Sequence, residues 1–103
     1  MKQYTTYEQT SKLIELGFAE PSMKNILDTE GIINEEWYSI GELIEMLPKI
    51  HPSYHDPYCL DIGFDAVNWV VGYVYDHGYI EIVSSKELID ALFKMVIKLK
   101  ETI

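Results

Sequence analysis

Residues 60–83 carry the feature that most restricts the fold, an alternation of side chains with a period of two. Apolar residues alternate with polar or small ones in Leu60–Phe64, and every second residue of Val67–Tyr75 is large and apolar. This period places such side chains on one face of a β-strand. The tripeptide Asp76-His77-Gly78 is typical of a three-residue hairpin loop with positive φ at its glycine, so Tyr79–Val83 is predicted to return as a third strand. The segments predict an antiparallel meander.

Capping boxes, in which Ser or Thr precedes Glu or Gln by three positions, predict where the helices begin. The first helix is predicted for Tyr7–Leu16, with Gly17 as its stop, and the second runs from Ile40 until Pro48 intervenes. A long C-terminal helix follows, with apolar residues at helical spacing from Leu88 to Leu99. The three capping pairs are Thr6 with Gln9, Ser39 with Glu42, and Ser84 with Glu87.

The predicted fold class is α+β, with a three-stranded antiparallel meander packed by two N-terminal helices and the long C-terminal helix. A chain of 103 residues predicts a single domain over 1–103. Between residues 18 and 37 the pattern is weaker, with one helical turn after Pro21 and a turn at 28–31. Ile89, Phe93 and Ile97 widen the apolar arc of the last helix to roughly 200°. The N-terminal helices or a second copy of the chain must cover it.

Charge favours some classes of partner and disfavours others. The net charge is −9, all eight positive side chains are lysines, and residues 25–85 hold eleven acids against Lys49 alone. Such a field attracts cationic partners and repels nucleic acid and anionic membranes. Without arginine the chain also lacks the bidentate donor that phosphate and guanine recognition favours, so direct nucleic-acid binding through phosphates is not expected. The alternative is that these acids only keep an apolar-rich chain in solution.

Targeting and redox features predict a cytoplasmic protein without membrane association. No run of about 18 apolar residues is present, and the first ten residues lack the apolar stretch of a secretory signal. Cys59 is the one cysteine, so no internal disulfide is expected.

His51, His55 and Cys59 form the sharpest group of chemically active residues, with Asp56 beside them. All of these side-chain types bind zinc, so the 51–59 loop is a candidate metal site. Its spacing matches no established zinc motif, and a solvated polar loop is the alternative. Cys59 as a nucleophile lacks a glycine-rich oxyanion loop and cationic neighbours. Phosphate- and dinucleotide-binding glycine patterns are absent as well, so no cofactor and no enzymatic activity are predicted.

Aromatic residues supply a second candidate site. Tyrosine and tryptophan are enriched at protein interfaces. The adjacent pair Trp37-Tyr38, together with Tyr54 and Tyr58 in or beside the loop, is predicted to form an interaction surface. The strand aromatics Trp69, Tyr73 and Tyr75 are instead predicted to lie in the core or in cross-strand pairs.

Three blocks of sequence resemble a group of short uncharacterised proteins from gut bacteria and their mobile elements. The blocks are Tyr4–Gly17, Trp37–Leu43 followed by Leu47-Pro48, and Leu88–Val96. Because they span much of the chain, the resemblance implies one domain in which they act together. It implies no reaction, cofactor or catalytic residue.

The sequence therefore predicts a non-enzymatic accessory domain that binds a protein partner or itself, through an acidic and aromatic surface or a free sheet edge. One alternative is an acidic nucleic-acid mimic that inhibits a DNA-binding protein. The other is a metal-binding protein that uses the 51–59 loop.

Overall fold

A computed structural model describes residues 2–18, 23–25, 35–52 and 55–102 of the chain. The element order confirms the α+β class, the three-stranded meander, the two N-terminal helices and the C-terminal helix. The helices are α1 (Tyr7–Glu15), α2 (Ile40–Met46) and α3 (Leu88–Thr102), and the strands are β1 (Met23–Asn25), β2 (Glu35–Trp37), β3 (Cys59–Phe64), β4 (Trp69–Tyr75) and β5 (Gly78–Ser85).

The main sheet has the order β3-β4-β5, and both of its strand pairs are antiparallel. Tyr75 pairs with Gly78, so only Asp76 and His77 lie in the hairpin turn. Both turn residues have positive φ, 48° and 66°, as the two central residues of a type I′ turn require. The prediction of a three-residue loop with positive φ at Gly78 is therefore wrong: Gly78 is paired in β5, and the positive φ angles are at Asp76 and His77. A two-residue turn of this type matches the twist of the flanking strands.

The connection between β3 and β4 corrects the predicted start of the second strand. One carboxylate oxygen of Asp65 accepts the backbone N–H groups of Val67, at 3.0 Å, and Asn68, at 2.7 Å. These two hydrogen bonds hold the pKa of Asp65 below its ordinary value, and the bond from Asn68 has the larger effect. Because this turn includes Val67, β4 begins at Trp69. Val67 is 66% exposed and does not share the face of the buried residues of β4.

Helix α1 begins and ends as its sequence predicts, to within one residue. The capping box is complete: Thr6 Oγ1 accepts the N–H of Gln9, and Gln9 Oε1 accepts the N–H of Thr6. At the other end Gly17 has a φ of 98°, and the N–H of Phe18 donates to the carbonyl of Leu13. This is the Schellman arrangement, which a residue in the left-handed region completes.

The second capping box is confirmed, whereas the third is wrong. Ser39 and Glu42 cap α2 reciprocally. Ser84 belongs to β5, and its carbonyl accepts from Lys94 Nζ at 3.0 Å. Glu87 Oε1 accepts the backbone N–H of Lys2 at 2.7 Å, so this carboxylate binds a residue distant in sequence instead of closing a local box.

Strands β1 and β2 form a second, two-stranded antiparallel sheet that the sequence pattern does not predict. Helix α1 contacts β2, and an isolated bridge joins Tyr4 to Ser39 just before α2. The turn predicted at 28–31 lies outside the described residues. The helical turn predicted after Pro21 is contradicted where the chain is described, because Met23–Asn25 forms strand β1.

Helix α3 lies at the centre of the structure. It contacts α2, β4 and β5, and it contributes seven of the thirteen apolar residues that are buried in the described part of the chain. Ile89 is fully buried, while Phe93 and Ile97 are half-buried against the core, so elements of the same chain cover much of the wide apolar arc. The buried set is Leu13, Tyr38, Leu43, Leu47, Val71, Tyr73, Leu88, Ile89, Ala91, Leu92, Met95, Val96 and Leu99.

The N-terminal segment is fastened to the start of α3 through Asp90. Lys2 Nζ lies 3.0 Å from an Asp90 carboxylate oxygen, which also accepts from Gln9 Nε2 at 2.9 Å. Partial burial acts to raise the pKa of Asp90, but these hydrogen bonds and the charges of Lys2 and Lys94 outweigh it and lower the pKa. Polar interactions of Asp90 thus connect the N-terminal segment and α1 to α3 without a buried apolar contact.

Candidate functional site

The candidate metal residues of the 51–59 loop are placed in different environments. His51 is buried, with its ring edge-on to Tyr73 at 5.1 Å and its backbone N–H donating to the carbonyl of Tyr58. His55 and Cys59 are exposed, and the Cys59 thiol donates to the carbonyl of Pro57 at 3.4 Å. Across the described ranges, no three His, Cys, Asp or Glu side chains lie close enough together to hold a metal ion. His51 therefore contributes to packing in this structure.

Tyr73 anchors the segment before this loop to the core. Its side chain is fully buried in β4, and its hydroxyl donates to the carbonyl of Pro48 at 2.7 Å. Burial raises the pKa of the Tyr73 phenol to about 12. The neutral phenol is therefore the form that holds the end of α2 against the sheet.

This burial predicts a loss of stability at alkaline pH. Because the folded-state pKa of Tyr73 lies above the ordinary value of 10, the contribution is complete below pH 10 and is lost as the pH rises through about 12. Over that window the effect amounts to roughly 2–3 kcal/mol. Urea unfolding between pH 9 and 12 should show a shallower decline for Tyr73→Phe than for the wild type. Equal slopes would contradict the assignment.

Trp37, Tyr38 and Tyr58, the described members of the predicted aromatic interaction surface, do not share one exposed face. Trp37 is half-buried, with its ring edge-on to Tyr4 at 5.6 Å, and Tyr58 is half-buried against Tyr75. Tyr54 lies outside the described residues. Tyr38 is only 1% exposed, which corrects its placement on a surface.

The backbone explains the burial of Tyr38. The N–H of Thr5 donates to the carbonyl of Tyr38 at 3.0 Å, and the N–H of Tyr38 donates to Thr5 Oγ1 at 2.9 Å. This pairing holds Tyr38 between the N-terminal segment and α2, where its side chain joins the core. Trp37 and Tyr38, which are adjacent in sequence, therefore lie in different environments.

A different surface is left on the side of the main sheet that faces away from α3, here called the outer face. Residues of β4 alternate, and Val71 and Tyr73 are buried against α3. Val70 and Val74 therefore point outwards, as do Tyr79 and Ile82, which are each 48% exposed. In the described part of the chain, the helix that packs on this sheet is α3, on the opposite side. The outer face is Cys59, Asp61, Gly63, Val70, Gly72, Val74, Tyr79 and Ile82.

Gly72 allows side chains of β5 to lie flat across the centre of the outer face. A Cβ at Gly72 would come within 3.1 Å of Ile82 Cγ1 and 3.3 Å of Tyr79 Cδ1. Over this gap Tyr79 crosses β4, and its hydroxyl donates to Asp61 Oδ2 of β3 at 3.0 Å. That hydrogen bond and the charge of Asp61 raise the pKa of the Tyr79 phenol. Tyr79 thus spans the sheet as a ring with one polar end.

The free edge of β5 is irregular. Glu81 and Ile82 together oppose Gly72, which makes a β-bulge, and Glu81 has a φ of 51°. Near the end of the strand, Lys94 covers the carbonyl of Ser84. Bulges and lysines are features that hinder edge-to-edge pairing.

A groove of about 580 Å³ lies between α2 and β3, here called the α2–β3 groove. It forms because the chain turns at Pro48 and then pairs with β3: the N–H of Leu60 donates to the carbonyl of Lys49 at 2.9 Å, and Ile50 bridges to Cys59. Its lining is mostly apolar. The lining residues are Ile44, Glu45, Leu47, Lys49, Ile50, Cys59 and Leu60.

Sequence reasoning did not single out either surface, although one carries a signal. In β4 the run Val70–Tyr75 is apolar at odd and even positions, apart from Gly72, whereas a strand with one solvated face usually alternates. An apolar run of this kind is typical of a strand that is buried on both faces of its sheet, so it was a signal for the outer face. No comparable pattern marks Ile50, an isolated apolar residue before a loop.

Comparisons with known proteins add no relative from which a function could be inferred. No family model, no curated protein and no solved structure matches this chain. Among the described residues no helix combines the length and the apolar character that crossing a membrane requires. The resemblance to short proteins of gut bacteria stays a prediction.

Proposed function

We propose that this protein is a non-enzymatic domain that binds a protein partner through the outer face of its main sheet. The supporting observation is that Val70, Val74, Tyr79 and Ile82 lie together on a face that no described helix covers. Removing such apolar surface from water is the main favourable term in protein association. Exposed apolar side chains that are grouped on one surface are typical of interaction sites on soluble proteins.

The shape of the outer face and the tyrosine at its centre fit a protein partner better than a small ligand. The outer face is a sheet surface and not a concavity, whereas small-molecule sites are concave and bury most of the ligand. At its centre Tyr79 offers an apolar ring and a hydroxyl that is already oriented by Asp61. Tyrosines of this type are enriched among the residues that dominate binding energy at protein interfaces.

Binding through the face is favoured over strand addition at the β5 edge. The bulge at Glu81 interrupts the row of backbone groups that an added strand would need. The nucleic-acid mimic has no specific support. Exposed carboxylates of the described residues are spread over separate elements, with Glu8 on α1, Glu45 on α2, Asp65 and Asp76 in hairpin turns and Glu101 on α3.

The proposal is tested with Ile82→Gln and a matched control, Val67→Gln. Both residues are exposed aliphatics, at 48% and 66%, but Ile82 lies on the outer face in β5 and Val67 lies in the β3–β4 turn. Tagged wild type and variants are used to capture partners from a lysate of the source organism, with molar mass measured by light scattering. A partner held by the wild type and by Val67→Gln, but lost by Ile82→Gln, is the expected result.

Two outcomes give different answers. A doubled molar mass of the purified wild type that Ile82→Gln reduces to that of a monomer identifies the partner as a second copy. The outer face is refuted as a binding surface if Ile82→Gln captures the same partners as the wild type. It is also refuted if the wild type is a monomer and captures nothing above the level of an untagged control.

A further inference from the structure

We infer that the free edge of β3 is a strand-addition site, which takes an extended segment of a partner protein with apolar side chains at every second position. The residues concerned are Ile62–Phe64, here called the β3 edge. This inference does not depend on the outer face, because it uses the backbone of an edge strand and the side of the sheet on which α3 packs.

Backbone groups of Ile62 and Phe64 point away from the sheet. In an antiparallel pair, successive residues direct their N–H and carbonyl groups alternately towards the partner strand and away from it. The N–H of Leu60 points away from β4, because it donates to the carbonyl of Lys49 at 2.9 Å. Ile62 and Phe64 follow at intervals of two, and among the described residues none pairs with them on that side. Their backbone groups are therefore available to an added strand.

The β3 edge lacks the features that hinder pairing at the β5 edge. Cys59–Phe64 pairs with β4 in continuous register, whereas the bulge at Glu81 interrupts β5. Strand β3 contains neither proline nor lysine, the residues that most often block edge-to-edge pairing. Its one charged side chain, Asp61, accepts the Tyr79 hydroxyl across the outer face. An added strand would thus meet a regular backbone.

Side chains at the β3 edge determine the apolar character of the partner. Ile62 pairs with Val71, which is buried against α3, so Ile62 and Phe64 lie on the same side of the sheet as that helix. Phe64 is 56% exposed, and its ring centroid lies 5.1 Å from that of Trp69. Residues that lie opposite each other in an antiparallel pair contact each other on one face. Every second residue of the added strand would therefore bury apolar surface of Ile62 or Phe64.

Two of the three symmetric registers that would place a second copy of the chain on this edge are blocked by the backbone. Pairing centred on Ile62 needs the N–H of Leu60, which already donates to Lys49. Pairing centred on Phe64 would extend the strand to Ala66, which lies in the β3–β4 turn with a φ of 80°. That angle is incompatible with an extended strand.

The third register, centred on Gly63, is opposed by charge. It would place Asp61 of one copy opposite Asp65 of the other, and like charges in that position are destabilising. A segment with a different sequence has no such constraint, so the structure favours another protein as the partner. We expect an antiparallel direction, because the bridge from Ile50 to Cys59 already sets that direction at the start of this edge.

The probe is a synthetic peptide of about nine residues in which valine and threonine alternate, with a lysine at each end. When its valines lie opposite Ile62 and Phe64, the valine N–H groups point at β3 and the threonine N–H groups point to solvent. Two versions of this sequence are compared. The version N-methylated at its threonines should bind, whereas the version N-methylated at its valines should bind about tenfold more weakly or worse, because it loses its donors to β3. Their charges are identical, so general attraction to an acidic protein cannot cause the difference.

Amide hydrogen exchange followed by NMR measures occupancy at the edge itself. In the free protein the amides of Ile62 and Phe64 should exchange faster than those of Asp61 and Gly63, which face β4. At about ten times its Kd, the threonine-methylated peptide should slow exchange at Ile62 and Phe64 about tenfold, in proportion to occupancy.

Protein variants place the site on the sheet. Phe64→Gln should weaken binding of the threonine-methylated peptide by about tenfold, the effect of one apolar anchor. Tyr7→Gln is the matched control, because Tyr7 is an aromatic residue that is 77% exposed on α1. Ile82→Gln, which changes the outer face, should also bind the peptide like the wild type. The β3 edge and the outer face can therefore fail separately.

Several results would overturn the inference. Equal binding of the two N-methylated peptides, or an unchanged affinity in Phe64→Gln, would exclude strand addition at this edge. Failure of the threonine-methylated peptide to slow exchange at Ile62 and Phe64 would do the same. Slow exchange of these amides in the dilute free protein would show that the chain itself covers the edge. Protection that increases with protein concentration alone would assign the edge to a second copy of this chain.

Discussion

Tyr38→Ala is expected to lower the free energy of unfolding by about 3–5 kcal/mol, the range observed when a large buried aromatic side chain is truncated. Tyr38 is 1% exposed, and it packs in the cluster that joins α1, α2 and α3. The loss combines the transfer free energy of the ring with the cavity it leaves. Urea unfolding followed by circular dichroism measures the change.

Tyr7→Ala is the matched control for this prediction. Tyr7 is 77% exposed on α1, so the same substitution there should change the unfolding free energy by no more than about 0.5 kcal/mol. If Tyr38→Ala fails to fold, Tyr38→Phe keeps the ring and should retain most of the stability. A surface role for Tyr38 would be supported instead if the two alanine variants were equally stable.

Tyr73→Ala is expected to have an effect of similar size, about 3–5 kcal/mol, together with a local consequence. Its ring is fully buried and lies against His51, and its hydroxyl holds the carbonyl of Pro48. Loss of both contacts should loosen the segment between α2 and β3. The accompanying signature is faster amide hydrogen exchange at His51, whose N–H donates to the carbonyl of Tyr58, and at Leu60, whose N–H donates to the carbonyl of Lys49.

Tyr73→Phe distinguishes the ring from the hydroxyl. It keeps the packing and leaves the half-buried Pro48 carbonyl without its phenol donor, which costs about 0.5–1.5 kcal/mol, the net contribution of a typical hydrogen bond. A loss in Tyr73→Phe as large as in Tyr73→Ala would assign the whole effect to the hydrogen bond. A loss near zero in both variants would contradict the burial of this side chain.

The elements of the fold that could be predicted are those specified by residues close together in sequence. The capping boxes at Thr6 and Ser39 are closed by side chains three positions away, and the Gly17 stop depends on the preceding helical turn. Strand alternation likewise acts over a few residues. In contrast, β1 and β2 are three residues each, too short for an alternation to be recognised.

The candidate sites were much less predictable, because they depend on which faces remain uncovered. Ile44 and Ile50 become parts of one groove only when the chain turns at Pro48 and pairs with Cys59. For the outer face, the apolar run in β4 is a signal, but which of its two sides is buried depends on the position of α3. His51, assigned to a polar loop by its neighbours in sequence, packs on Tyr73.

By itself the sequence determined the helices, the meander and the acidic field, since capping, alternation and charge are properties of neighbouring residues or of composition. Only the tertiary structure decided that Tyr38 is buried, because the hydroxyl that accepts its N–H belongs to Thr5, 33 residues earlier. It also decided the environment of Glu87, whose carboxylate binds Lys2 from 85 residues away. Contacts between distant segments settle such cases, because the free energy of burying a side chain depends on every element that meets there and not on its neighbours in sequence.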